Sequence, residues 1–516
     1  MRGLKDVLID EASICDTLVV NSRAARITVA IQTLRHQTAN SLKQHERTGS
    51  DAPQRSSFDP QRTEFDAQPS PFDNVPLFLF GIVVIGLILR LVVVLCVVHG
   101  SGHTINDDNF GYESWEMGWT ARSLYLGQGF SSPFLPLTGP TALVPPLYPF
   151  LIAAAFKLFG LYTSQAAFVV LAFNSICSAL TCIPLFYLVR SSLGSRSARI
   201  AAFAWAIYPF AVYFSADRVW DYALTGLLFS CCLLAAQSLH LRRPLAWFGF
   251  GLLYGMAVMS NPSIVSLLPF LLLIALYKVW RTGRNWFRKG LLASVAFILV
   301  CTPWTIRNER VMHAHFFLRD GYWLEFYAGN NGDTTASNSA FAHPASNPVE
   351  MQKYQSMGEI AYMAEKHDLA VDFVKHHPAF FAVATLRRIV RFWTGYWSFN
   401  PGYLKYEPFD LPNVPFCLFL LFFLVRGVRR WWQQDKQGVL PYLLALLVFP
   451  IPYYLTHSSM DYRQPIEPLV VLLVTVGLFG TGLSRGSAEE AEAPESEAYV
   501  DEPEPAMAYA EALPAN

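Results

Sequence analysis

The stretch that decides the fold runs from Asn106 to Tyr148: NDDNFGYESWEMGWTARSLYLGQGFSSPFLPLTGPTALVPPLY. Four carboxylates, Asp107, Asp108, Glu113 and Glu116, fall within ten positions of it. A loop rich in Gly, Pro and aromatic residues follows. The stretch comes just after an apolar span near 76–98, and the chain beyond it is mostly apolar. Burying carboxylates beside lipid is costly unless they serve a metal, a proton or an ion pair. Acid gathered at this boundary therefore points to chemistry at a membrane edge.

Composition agrees. Of 516 residues, 53% are hydrophobic and only 15% charged, with a mean hydropathy of +0.29. These values suit a polytopic membrane protein, not a soluble enzyme with one anchor. Lys plus Arg and Asp plus Glu are both 39, but nine acids and no base fall after Ser487, so the remainder is basic. Most of the eight Cys sit in apolar spans, without metal-ligand spacing, where Cys acts as a small hydrophobe. No disulfide framework and no structural zinc are expected.

Residues 1–75 are polar, of mixed charge, and end in a Pro/Ser/Asp-rich run. They read as a largely disordered cytoplasmic extension, without the apolar core and cleavage site of a signal peptide. Apolar spans are predicted near 76–98, 165–189, 199–216, 219–239, 245–260, 263–280, 290–305, 413–426, 438–456 and 466–484. The short, Pro-broken segment Pro146–Gly160 and the Arg-bearing segment 378–397 are expected to lie along the membrane surface. Residues 485–516 read as an acidic disordered tail.

Short basic links fix the orientation. Links at 190–199, 241–243, 278–289 and 426–436 carry clustered Arg and Lys and are assigned to the cytoplasmic side. Ten crossings then place both termini inside the cytoplasmic (inner) membrane and put 99–164, 217–221, 306–412 and 457–465 outside. The large outer loop 306–412 holds an amphipathic run from Met351 to His376 and reads as a small helical cap. Every loop with clustered acids, aromatics and turn residues then falls on one side.

Candidate chemistry lies on that outer side. Glu116, Asp108, Glu113 and Asp221 are candidate catalytic carboxylates. If 108–124 is helical, Glu113 and Glu116 share a face. Asp108, Glu116 and Asp221 could together hold a divalent cation, or one could deprotonate an acceptor hydroxyl. Arg463, Arg90 and Arg307, with Tyr462 and His457, are candidates for gripping a phosphate at headgroup level, because a guanidinium fork matches phosphate oxygens. Acids for an acceptor or metal and arginines for a lipid phosphate suit sugar transfer from a polyprenyl-phosphate carrier.

The same residues carry a family resemblance. WEMGWTARSLYLGQGFSSPF (115–134), TGPTALVPPLYPFLIAAAFKLFG (138–160), Asp221 opening a span after Val219–Trp220, SNPS (260–263), PWTIRN (303–308) and YRQPIEP (462–468) resemble the GT-C glycosyltransferases. The branch is that of the protein O-mannosyltransferases, the lipid A aminoarabinose transferase and the bacterial lipopolysaccharide-core transferases. The resemblance covers roughly 76–484. It implies an all-α polytopic GT-C fold of about ten transmembrane helices, with juxtamembrane surface helices in the first outer loop. It also implies a catalytic acid in Asp107–Glu116, a second acid at Asp217/Asp221, and carrier-phosphate binding by the Tyr462–Arg463 segment. Where the family often has Asp-Glu before a Tyr, this chain has Asp107-Asp108, with Tyr112 four residues beyond Asp108.

The expectation is a membrane glycosyltransferase moving a sugar from a polyprenyl-phosphate carrier to a lipid, glycan or protein acceptor outside the cytoplasmic membrane, with no nucleic-acid partner. The alternative, a transporter or flippase of a lipid-linked substrate, calls for internal repeats and mid-membrane charges on broken helices. The sequence shows no repeat, and its charges group at the outer edge.

Overall fold

The computed structural model describes residues 74–100, 115–135, 137–334, 340–395 and 410–480. The expected N-terminal extension and acidic tail, Asp107, Asp108 and Glu113 lie outside the described residues. Those described are almost wholly helical. Their one β-feature is an isolated bridge between Ser131 and Pro140.

Eight runs among the described residues are long and apolar enough to cross a membrane. The first, α1 (Val75–Gly100), is the most apolar, with a mean hydropathy of 3.1. After it come α2 (Trp115–Tyr125) and α3 (Leu147–Phe159) of the first outer loop. Helix α3 has 13 residues, too few for a full crossing. Leu158 and Phe159 stay exposed at its end.

The longest apolar run, Ser164–Ala206, doubles back on itself. It comprises α4 (Ser164–Leu180) and α5 (Cys182–Ala206), and Gly194 adopts φ +83° inside α5. A side chain is rarely tolerated there, whereas Gly turns freely. The reversal shows in the contacts: Trp205 Nε1 donates to Ser178 O (2.7 Å), and Cys182 Sγ lies 3.6 Å from Ala202 O. Helix α6 (Pro209–Asp217) continues the returning limb after a break at Ile207–Tyr208. Pro209 lacks the N–H that would continue α5, so Trp205 O loses its regular helical partner and keeps only the tighter backbone bond from Tyr208 N at 3.2 Å.

Helices α7 (Tyr222–Ser238), α8 (Pro244–Ser260), α9 (Leu268–Arg281) and α10 (Trp286–Met312) follow. Asn285 caps α10 by accepting from Arg288 N at 3.1 Å. Helices α8 and α10 are in close contact because Gly251 faces Ala293, and a Cβ on Gly251 would collide with the Ala293 carbonyl. The reversal at Gly194 and the 17-residue α8 make up the difference between eight long runs and the ten spans expected from sequence.

The outer cap holds α11 (Tyr322–Gly329), α12 (Pro348–Met357) and α13 (Glu359–His376). The expected single run 351–376 is two helices, split at Gly358, which adopts φ +78°. Amphipathic α14 (Pro378–Thr394) exposes Val383, Leu386 and Val390 and buries Arg388. The chain closes with α15 (Asp410–Gln434), α16 (Lys436–Val448), α17 (Ile451–Leu455), a 3-10 turn at Asp461–Ile466, and α18 (Glu467–Phe479). Helix α18 is almost completely enclosed by protein. The last span runs Asp461–Phe479 rather than 466–484.

Candidate active site

A cavity of about 280 Å³ lies where the segments expected on the outer side meet. The start of α2, the segment Leu143–Pro145, the start of α7, the α8–α9 link, the cap and the 452–462 segment all contribute to its lining. These pieces come from loops that the basic links assign to one face.

Two of the expected carboxylates meet here. Asp221 precedes α7 and is 1% exposed. Its Oδ2 accepts from Thr225 Oγ1 at 2.7 Å and Asn261 Nδ2 at 3.4 Å. Burial outweighs those bonds and pushes the carboxyl up to about 6. Glu116 sits in the first turn of α2, where its Oε1 lies 3.5 Å from His343 Nε2 of the cap. Burial raises this carboxyl too, and His343 partly offsets the rise. Asp108, expected to join them around a cation, is not among the described residues. No three His, Cys, Asp or Glu side chains gather as a metal-holding group among those that are. Glu116 and His343 are nonetheless a pair of ligating type.

The cationic side differs from the sequence expectation. Arg319, which the sequence reading missed, lines the cavity beside Glu325. Its Nη2 is 4.0 Å from Glu325 Oε1. Its Nε is buried without a hydrogen-bond partner among the described residues. The expected His457 and Tyr462 also line the cavity, with His457 Nε2 2.6 Å from Tyr462 Oη. His457 Nδ1 is 3.4 Å from Glu325 Oε2 yet lacks a hydrogen bond. Burial lowers the imidazole, so it is neutral near pH 7. Tyr453 stacks on Tyr462 with ring centroids 4.9 Å apart, giving the wall a flat aromatic face.

The three arginines expected at a phosphate are positioned elsewhere. Arg90 is fully buried in α1 and donates to Ala206 O (2.7 Å), Trp205 O (3.2 Å) and Gly86 O (2.9 Å). It thus caps the α5 carbonyls freed by the break before Pro209. This charge inside a span, beside a broken helix, corrects the expectation that charges group only at the outer edge. It is wholly engaged with backbone and Ser178 and does not line the cavity. Arg463 pairs with Glu467 and donates to Phe392 O at 3.1 Å, bracketing α18 to α14. Glu467 also accepts from Tyr208 at 2.8 Å.

Arg307 holds the first outer loop. Its Nη2 and Nη1 donate to Phe130 O (2.6 Å) and Thr141 O (2.7 Å), and its guanidinium lies over Trp304. The other side of that loop is tied to the cap. Glu359 accepts from Thr141 Oγ1 (2.5 Å), Ala142 N (2.6 Å) and Tyr354 Oη. Asp320 N donates to Ala142 O at 3.3 Å. Burial, and then the proximity of Glu359, push the Asp320 carboxyl well up; burial raises Glu359 as well. Two buried carboxyls near each other disfavour ionisation of both. These ties set the wall formed by Leu143–Pro145.

Residues 143–306 match the sequence profile of the family described as dolichyl-phosphate-mannose-protein mannosyltransferase. No curated protein sequence matches the chain. Among solved structures, the Archaeoglobus fulgidus oligosaccharyltransferase AglB with an inhibitory peptide and a dolichol-phosphate is similar at 14% identity and a TM-score of 0.46, over 81% of this chain and 52% of that one. The same organism's oligosaccharyltransferase with Zn and sulfate gives 11% identity and 0.44, over 78% and 49%. ArnT from Cupriavidus metallidurans bound to undecaprenyl phosphate gives 14% and 0.36, over 81% and 80%. The chain spans about half the length of the oligosaccharyltransferases. The family match falls on the segment holding Asp221, SNPS and the first four residues of PWTIRN, and bears out the resemblance to GT-C glycosyltransferases there. With the eight apolar runs, it supports a multi-pass membrane glycosyltransferase.

Proposed function

We propose that this chain transfers a sugar from a polyprenyl-phosphate carrier to an acceptor at the outer face of the cytoplasmic membrane. The observation that carries the reading is a single cavity holding two raised carboxyls, Glu116 and Asp221, together with the partnerless Arg319 Nε. The family match supports the donor class. Arg319 replaces Arg90, Arg307 and Arg463 as the residue that meets the carrier phosphate, with His457 and Tyr462 beside it. Arg307 braces the loop behind the cavity wall, and Arg90 and Arg463 are engaged within the bundle.

In the proposed step, Asp221 or Glu116 takes the proton from an acceptor hydroxyl. The hydroxyl oxygen attacks the anomeric carbon as the bond to the phosphate oxygen breaks, inverting that carbon. The lipid phosphate leaves with an added negative charge, which Arg319 stabilises. A base held near 6 is ionised at neutral pH yet remains more basic than a free carboxylate.

The test is transfer from a labelled polyprenyl-phosphate sugar by purified enzyme, comparing wild type with Glu116→Gln, Asp221→Asn and Arg319→Gln. Loss of transfer in the carboxyl variants, with weakened carrier use in Arg319→Gln, supports the reading. Wild-type rates in all three would overturn it.

A further inference from the structure

A second cavity, of about 390 Å³, lies at the opposite end of the bundle. Three apolar runs connect the two. Tyr222, Ser263 and Tyr453 line the outer cavity, while Gln237, Lys278 and Gly438 line the second. Each pair is separated by about 22 Å of helix, at 1.5 Å per residue. That distance crosses most of a bilayer's hydrocarbon core. The second cavity therefore sits among the basic links.

Its lining combines an ordered hydroxyl-amide wall with an unpaired cation. Ser191 Oγ donates to Gln237 Oε1 (2.8 Å), and Gln237 Nε2 to Tyr442 Oη (2.5 Å). Ser192 lines the cavity beside them. Lys278 lines the cavity, half-buried, and has no hydrogen bond or ion pair among the described residues. It lies within electrostatic reach of His240, as does Lys289. The four basic links around the cavity contain one acid, Asp435, and its Oδ1 is taken by Gln437 N and Gly438 N at 3.0 and 2.9 Å. The mouth is open at Ser191, Leu241 and Gln437, which are exposed.

A half-buried cation near lipid is disfavoured unless something anionic meets it. No protein group among those described does so. A volume of this size is within the ligand range of about 300–1,000 Å³. Basic pockets between membrane helices on this side suit phosphate headgroups. We propose that this cavity binds a phosphate ester, with Lys278 on the anionic oxygens and the Ser191, Ser192, Gln237 and Tyr442 wall on neighbouring hydroxyls. Two sources carry that chemistry: an anionic lipid headgroup and a soluble glycerol phosphate.

The experiment uses full-length protein in phosphatidylcholine nanodiscs containing phosphatidylglycerol. Native mass spectrometry counts the retained anionic lipid. Lys278→Gln is expected to lower retention roughly fivefold, the worth of one Lys at an anionic surface. Arg288→Gln, at the same end but outside the cavity, is the control and should change it much less. Ser192→Leu, which fills the cavity without removing charge, should lower retention as Lys278→Gln does, and it carries the test if Lys278→Gln fails to fold. In a second arm, glycerol 3-phosphate is titrated into detergent-solubilised protein. Lys278-dependent saturation there identifies a soluble ester as the source, and lipid retention without it identifies the headgroup. Equal losses in Lys278→Gln and Arg288→Gln, or unchanged retention in Ser192→Leu, would overturn the proposal and leave only a diffuse basic belt.

Discussion

The two ends of the bundle are built to opposite plans on the same helices. At one end of α7, Asp221 is buried at the mouth of a cavity shared with Glu116 and Arg319; at the other, Gln237 belongs to a wall of amide and hydroxyl groups. The outer end gathers carboxyls and raises them by burial. Among the described residues, the basic links carry a single acid, Asp435, which is already engaged by backbone, and leave a lysine unpaired. Carboxyls held up by burial are suited to moving protons. A lone cation among hydroxyls is suited to holding an anion still. The comparison sets the proposed proton transfer at one end and the proposed anion recognition at the other.

The strongest challenge to that division is at the carboxyls. Glu116→Gln or Asp221→Asn should cut kcat for sugar transfer by about 100- to 10,000-fold, the range for loss of a general base or acid. Steady-state rates check this, and a change of less than threefold in both would remove proton transfer from the outer end. Arg319→Gln comes next. Losing one charge-assisted contact of about 1.5–3 kcal/mol should raise KM for the carrier roughly 10- to 100-fold, measured by varying the donor concentration.

A pH profile sharpens the outer end further. Asp221 is held at about 6, so kcat/KM should fall roughly tenfold per unit below that value if Asp221 must be ionised. Stability should move the other way. Because the folded state binds this proton more tightly than the unfolded chain, the contribution is full below the usual carboxylate range and is lost as pH rises through about 6. Asp221→Asn should flatten both dependences. The smallest effect is expected at the other end: Lys278→Gln should leave outer-face transfer within about twofold of wild type, since the groups are separated by about 22 Å of helix. A large kcat loss there would merge the two ends into one machine.

Much of this was legible in the sequence. Apolar length gave the spans, and acids clustered after α1 drew attention to Glu116, which the fold brings to the lining of the first cavity. Asp221 was legible because an acid opening an apolar span needs a reason. Arg319 was not. It lies in FFLRDGYW, where an Arg–Asp pair among aromatics in a long loop looks like any surface turn. What makes it different is the cavity around it, assembled from segments more than 300 residues apart in the chain, Glu116 and Tyr462 among them. The arginines that looked functional failed for the same reason. An Arg near a span's end reads alike whether it meets a phosphate or a carbonyl, and only the break before Pro209 shows why Arg90 is needed. Glu359 and Asp320 were also invisible, because their bonds to Thr141 and Ala142 reach a loop far away in the chain.

Arg90 has a consequence for how the chain is made. Its carbonyl acceptors on Trp205 and Ala206 are 115 and 116 residues further along. During synthesis α1 enters the bilayer long before they exist, carrying a guanidinium that costs about 2.5–3.5 kcal/mol at the centre of an inserting helix. The surplus apolarity of α1, the highest of the runs among the described residues, offsets that debt until the returning limb arrives. A less apolar first span would itself insert incompletely, so the residues flanking Arg90 are constrained by biogenesis and not by the finished structure alone.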